Sequence, residues 1–270
     1  MSDLIWATFQ LYKNALKGAL HSFLRGWLVV VVVVVFAVFM MSVSSVASGL
    51  GILGGFLLGG ANAFIVGSLL GLVEQAVMSS RRMRWKDVWQ SAGQYFWDVL
   101  TILFIVWIPL QLLEMGMGAN PYGPAVGSGV FLLLFILLNP VPEVIYQVRH
   151  GSPLDVIRES YEFVIENWIE WFLPWAIVLA PFGLAFFFMV SSQGGGMLGL
   201  NFFQLLRLPF TILNAWLAYL GIPGSLASAL VVVLTPIATV FVLFFRGHLF
   251  ASLHSSSRRQ RLFKARAARK

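Results

Sequence analysis

Residues 27–48 read WLVVVVVVVFAVFMMSVSSVAS, without a charged side chain. A helix needs about 20 apolar residues to cross the hydrocarbon of a bilayer, and this run supplies them. It is longer than the apolar core of a cleaved leader and is preceded by a stretch too long for one, although Ser45-Val46-Ala47 has small residues of the cleavable kind. The expectation is a retained span. Five further runs have the same character: Leu50–Met78, Trp97–Met115, Gly127–Tyr146, Trp168–Val190 and Gly224–His248. Strand alternation of the barrel type is missing, so the backbone polar groups must be satisfied within helices.

The whole chain agrees with this local reading. Of 270 residues, 59% are apolar and 11% charged, and the mean hydropathy is +0.85. A soluble domain carries about a quarter charged residues. A 30 kDa globule could not hide this much apolar surface, so much of it must face lipid. The fold class expected is all-α: a polytopic membrane bundle of about six transmembrane helices with cytoplasmic interfacial helices. A single transmembrane domain is expected over residues 1–257, built from three helix-hairpin units (3–78, 85–148 and 153–250), with a basic tail at 258–270.

Charge sets the orientation. The stretch Asn201–Leu220 is also a span long, but it carries Asn201, Gln204, Arg207 and Asn214, with Pro209 in its middle. With six spans and the amino terminus inside, every Lys and Arg except Arg207 falls on the cytoplasmic side. A seventh span would export Arg246 and the tail, against the positive-inside bias. Asn201–Leu220 is therefore expected to lie on the outer interface or to dip in and return, leaving both termini cytoplasmic at a cell inner membrane of bacterial type.

An amphipathic stretch precedes each pair of spans. In Asp3–Leu24, Ile5, Phe9, Tyr12, Leu16, Leu20 and Phe23 recur at steps of three or four, with Gln10, Lys13, Lys17 and His21 on another stripe. In Trp85–Phe96 the apolar side holds Trp85, Val88, Trp89 and Ala92. The third opens on Ser152-Pro153-Leu154-Asp155, a capping serine, a first-turn proline and an acid three residues after the cap. It continues through Ile157, Tyr161, Ile165 and Trp168, with Arg158 and Glu162 paired one turn apart. The three units form either a genuine repeat or three unrelated anchoring helices.

The stretch from Pro153 to Tyr161 (Pro-Leu-Asp-Val-Ile-Arg-Glu-Ser-Tyr), followed by Asn167 and Trp168, resembles a feature of six-span bacterial inner-membrane domains. In these an acid, a Ser-aromatic pair and an Asn lead off a cytoplasmic helix before a span. The membrane domain of glycerophosphoryl diester phosphodiesterases is similar, as are related uncharacterised proteins, and Tyr12 and Asn14 echo the pattern. The resemblance covers Pro153–Trp168 and otherwise only the order of spans. It implies a membrane domain and carries over no catalytic residue.

Chemistry is sparse. Without cysteine there is no thiolate, and His21, His150, His248 and His254 show no ligand spacing, so no metal is expected. Gly-x-Ser-x-Gly and the phosphate-loop signature are absent, and neither a catalytic residue nor a cofactor is assigned. Acids in a membrane are candidates by default. Asp98 and Glu170 stand at the cytoplasmic starts of spans, where water is close, and Glu74, Glu114 and Glu143 near span ends. Glu74 is expected to pair with Arg81 or Arg82. Glu143 sits in Asn139-Pro140-Val141-Pro142-Glu143, where two prolines should break the helix. Asn139, Pro140, Pro142 and Glu143 make a candidate intramembrane polar site, unless Glu143, close to Arg149 along the helix, simply reaches the interface or pairs with a basic side chain.

Gly51, Gly55, Gly59, Ala63, Gly67 and Gly71 form a small-residue stripe suited to helix packing. At about 100° per residue, each four-residue step overshoots a turn, so one straight neighbour cannot cover it all. Arg258, Arg259, Arg261, Lys264, Arg266, Arg269 and Lys270 should meet anionic lipid headgroups; nothing in the tail reads nucleic acid. The function expected is a non-enzymatic membrane subunit or scaffold, packing with partner proteins, with lipids or with its own copies. The alternative is a small transporter or channel with a broken-helix site at Glu143.

Overall fold

A computed structural model of the chain describes residues 2–117, 123–149, 151–192 and 219–256, together with Asn214 and Leu217. The basic residues from Arg258 to Lys270 and most of Asn201–Leu220 lie outside the described residues. All regular structure described is helical: α1 Ser2–Arg25, α2 Leu28–Ala47, α3 Ile52–Met78, α4 Trp85–Ser91, α5 Phe96–Met117, α6 Gly123–Leu137, α7 Val141–Gln147, α8 Pro153–Ser192 and α9 Gly224–His254. Leu28–Ala47, Ile52–Met78, Phe96–Leu113, Gly129–Gln147 and Gly224–His254 are long and apolar enough to cross a membrane. The chain is a multi-pass helical membrane protein. The remaining expected span, Trp168–Val190, lies within the second part of α8.

Large apolar side chains point away from the protein, as they do when the solvent is hydrocarbon. On α2, Val34, Val35, Val38, Phe39 and Met41 are exposed, while Val29 and Val32 are buried. The turn to α3 is tight because it is made of small residues. Gly51 takes φ +56°, and a Cβ at Gly54 would run into the Ala47 carbonyl. Only glycine fits either place without strain.

The described chain divides into two compact units, one drawing on Met1–Phe104, Pro140–Phe163 and Pro236–Lys270, the other on Ile105–Asn139 and Val164–Thr235. The first unit contains the first two amphipathic stretches and the third as far as Phe163, and the apolar stripes read from the sequence are largely exposed. On α1, Phe9, Leu16 and Leu20 are exposed, while Ala15, Ala19 and Ser22 are buried. On α4, Trp85 and Trp89 are exposed, and Asp87 and Ser91 are buried. On α8, Leu154, Tyr161 and Ile165 are exposed, and Val156, Ser160 and Phe163 are buried. On α1 and α4 small and polar residues let the helix lie close on its neighbours, and bulky apolar side chains are left exposed. The three buried serines stand at positions 22, 91 and 160, equally spaced along the chain.

Two expected boundaries shift. Trp85–Phe96 is not one helix: α4 ends at Ser91, and a turn follows in which Gly93 takes φ +70° and its N–H donates to Ser68 Oγ at 2.7 Å. Within α8, Asn167 leaves helical geometry (φ −124°, ψ 17°), marking the change from amphipathic stretch to span.

Candidate functional site

The prolines do break the fourth span. Helix α6 ends at Leu137, a turn covers Leu138–Pro140, and α7 restarts at Val141. Pro142 sits in the first turn of α7, where the N–H it lacks would have had no helical partner. Val144 donates to the Pro140 carbonyl at 3.0 Å, which satisfies one group freed by the break.

Glu143 follows in the same turn and is 1% exposed. It does not reach the interface; it pairs with a basic side chain, one of the outcomes the sequence allowed, but that side chain is not nearby Arg149. Instead Arg246 of α9 donates to it from Nε and from Nη2, both at 2.8 Å. The pair is bidentate, the geometry in which an arginine matches a carboxylate best. Its register is set by Gly247. A Cβ there would lie 2.6 Å from the Tyr146 hydroxyl and 2.9 Å from Val77 Cγ2, so α9 approaches α7 and α3 only because the residue is glycine. Gln147 Nε2 locks the same contact by donating to the Gly247 carbonyl at 2.9 Å. Asn139 belongs to the second unit, where its Oδ1 accepts from the indole N–H of buried Trp171 at 2.9 Å. The four candidate residues thus divide between two compact units.

Glu74 is the second acid hub, and its partners correct the expected pairing with Arg81 or Arg82. Arg149 donates to Oε1, while the Tyr95 hydroxyl at 2.7 Å and Gln94 Nε2 at 3.1 Å donate to Oε2. Arg81 turns instead to buried Asp87 at 2.7 Å, and Asp87 also caps α4 by accepting from the Arg84 N–H. Burial, and after it the hydrogen bond to Glu74, pushes the Tyr95 phenol well above its ordinary range. The Glu74 carboxylate holds the Arg149 guanidinium above its own. Arg149 stands at φ +55°, in the left-handed region that a non-glycine residue rarely enters. Beside it opens a cleft of about 210 Å³ lined by Gln94, Tyr95, Asp98, Ile145, Arg149 and Val156. Asp98 is exposed there as expected, whereas Glu170 is 4% exposed and does not stand in water.

The small-residue stripe of α3 packs over only half its length. Ala63 is fully buried. A Cβ at Gly67 would meet the Phe96 backbone nitrogen at 2.7 Å, and one at Gly71 would meet Gln94 Oε1 at 2.7 Å. At Gly51, Gly55 and Gly59 a Cβ would meet nothing. The stripe drifts round the helix, so only its carboxyl-terminal half faces the 91–96 turn; among the described residues nothing packs on Gly51, Gly55 or Gly59.

One contact had no sequence signal. Ser22 Oγ lies 2.9 Å from His248 Nε2, joining α1 to α9 across most of the chain length. A serine on an imidazole is the start of a nucleophile and base. Here Ser22 is 1% exposed, and Gly18 lies against the imidazole ring, so the contact docks one helix on another. Among the described residues, no group of three or more His, Asp or Glu side chains could hold a metal. Compared with family models, curated proteins and solved structures, the chain matches none.

Proposed function

We propose that the chain is a non-enzymatic integral membrane subunit or scaffold that packs with partner proteins and lipids in a bacterial inner membrane, both termini cytoplasmic. The supporting observation is that two of the candidate acids near the span ends, Glu143 and Glu74, are closed by partners within the chain. Glu143 is spent on Arg246, and Glu74 on Arg149, Tyr95 and Gln94. A solute pathway needs polar groups left facing a cavity within the spans, and neither of these acids is left so. Gly55 and Gly59, open beside exposed Phe56 and Leu57, offer a close-approach face for a helix of another chain.

The reading includes a threefold internal repeat. It is supported by the equal spacing of Ser22, Ser91 and Ser160 and by the same interval between Glu74 and Glu143. The resemblance to the membrane domain of glycerophosphoryl diester phosphodiesterases is part of the proposal and rests on Pro153–Trp168 alone. The test is purification in mild detergent without crosslinking: partners or further copies should accompany the chain in fixed ratio, and a lone monodisperse monomer counts against the reading.

The break at Leu138–Pro140 favours the second reading, a small transporter or channel worked by Glu143. Reconstituted Glu143→Gln should then lose flux of its solute or of protons while remaining folded. Unchanged flux removes that alternative.

A further inference from the structure

We propose that the cleft beside Arg149 binds a zwitterionic phospholipid headgroup, with its phosphate on Arg149 and its ammonium on Asp98. The inference goes beyond the subunit reading and does not depend on it. At roughly 30 Å³ per water, a cleft of about 210 Å³ has room for about seven waters, the scale of a phosphoethanolamine group. Buried Ile145 and Val156 contribute an apolar wall, and Gln94, Asp98 and Arg149 a polar one.

The two charges are suited to opposite ends of such a ligand. The Arg149 side chain is 64% exposed, and one nitrogen, Nη2, is tied to Glu74. A guanidinium has five N–H donors in a fixed fork, so others remain for a phosphate. Glu74 also accepts from Tyr95 and Gln94, which fixes the carboxylate that aims the arginine. The left-handed backbone at Arg149 is a strained placement of the kind kept at ligand clamps. Asp98 is exposed in the first turn of α5, and its carboxylate has no recorded partner among the described residues. An ionised carboxylate accepts only, which suits an ammonium that donates.

A membrane source is favoured over a free one by the surroundings. The cleft lies where the span Phe96–Leu113 begins, and its neighbours along the chain, Trp97 and Leu154, are 71% and 63% exposed. Exposed tryptophan at a span end marks headgroup depth.

The test is native mass spectrometry of the full chain in detergent, offered phosphatidylethanolamine, phosphatidylcholine or phosphatidylglycerol. The ethanolamine lipid should be retained roughly tenfold better than the other two, the weight of one charge-assisted hydrogen bond. Phosphatidylcholine has no N–H to give Asp98, and phosphatidylglycerol has no ammonium. Asp98→Asn should abolish the preference while lowering the unfolding temperature little, since the exposed carboxylate contributes to the fold only through its place in the first turn of α5. Arg149→Lys, which keeps charge but loses the fork, should lower retention of all three. Equal retention by the wild type, or a preference that survives Asp98→Asn, overturns the proposal. Binding of free phosphoethanolamine without retention of the lipid would overturn its membrane source.

Discussion

Arg246 and Glu143 face each other through two parallel 2.8 Å hydrogen bonds, one residue near the end of the last span and the other just after a proline break in an earlier one. Both are largely removed from solvent, with side-chain exposures of 15% and 2%. The pair ties α9 to α7, and its worth follows from what is left when one member is removed.

Removing the acid alone leaves a buried guanidinium without its counter-charge, a loss of about 3–5 kcal/mol for such pairs. Glu143→Gln is therefore expected to lower the unfolding temperature in detergent sharply. The double variant Glu143→Met with Arg246→Leu should recover much of the loss, because no charge remains to be desolvated. A single variant as stable as the wild type would show that the pair contributes nothing.

The two halves of the α3 stripe should respond differently to added methyl groups. Gly67→Ala drives a Cβ into the Phe96 backbone, and overpacking of this kind costs about 1–3 kcal/mol. Gly55→Ala meets open space and should be neutral or slightly stabilising in the isolated chain, since glycine in a helix is worth about 0.5–1 kcal/mol less than alanine. If Gly55→Ala also strips co-purifying partners, the open half is an interface; a marked loss of stability would mean that the position packs within the chain.

These contrasts mark what the sequence made legible. The spans were readable because a bilayer imposes a length and a composition that a local window captures. The helices at α1 and the start of α8 fall where periodicity placed them, whereas Trp85–Phe96 is interrupted after Ser91. Their inward faces were harder, because lipid reverses the usual rule: Phe9, Leu16 and Leu20 face out and Ala15, Ala19 and Ser22 face in. Glu143 stood out through its two prolines, but its partner lies in a distant helix and no local pattern points to Arg246. Ser22 and His248 carried no signal at all, since a serine on one helix and a histidine on another become chemistry only by contact.

Alkaline pH should weaken the Glu74 cluster through Tyr95. The folded phenol holds its proton more tightly than the unfolded one, whose pKa is about 10. A raised pKa gives stability that is fully present below the unfolded value and is lost as pH climbs through the folded one. Unfolding temperatures between about pH 8 and pH 11 should therefore fall more for the wild type than for Tyr95→Phe. Parallel curves would mean that Tyr95 does not titrate differently on unfolding.

The Ser22–His248 contact should govern how firmly α1 lies on the bundle. Ser22→Ala leaves a histidine nitrogen without its partner, at about 1 kcal/mol. Gly18→Val is harsher, because a Cβ at that position already lies 2.9 Å from the His248 ring. Helix α1 carries Phe9, Leu16 and Leu20 on its outer face, so on release it would stay at the membrane surface, but without packing against the bundle its helical hydrogen bonds would open more often. Hydrogen exchange in detergent should then quicken across Leu11–Arg25 for both variants, more for Gly18→Val, while Leu70–Ala76 of α3 keeps its protection. Acceleration in both segments together would mean that α1 is an integral part of one cooperative unit; no acceleration in either would mean that the serine–histidine contact does not hold the helix.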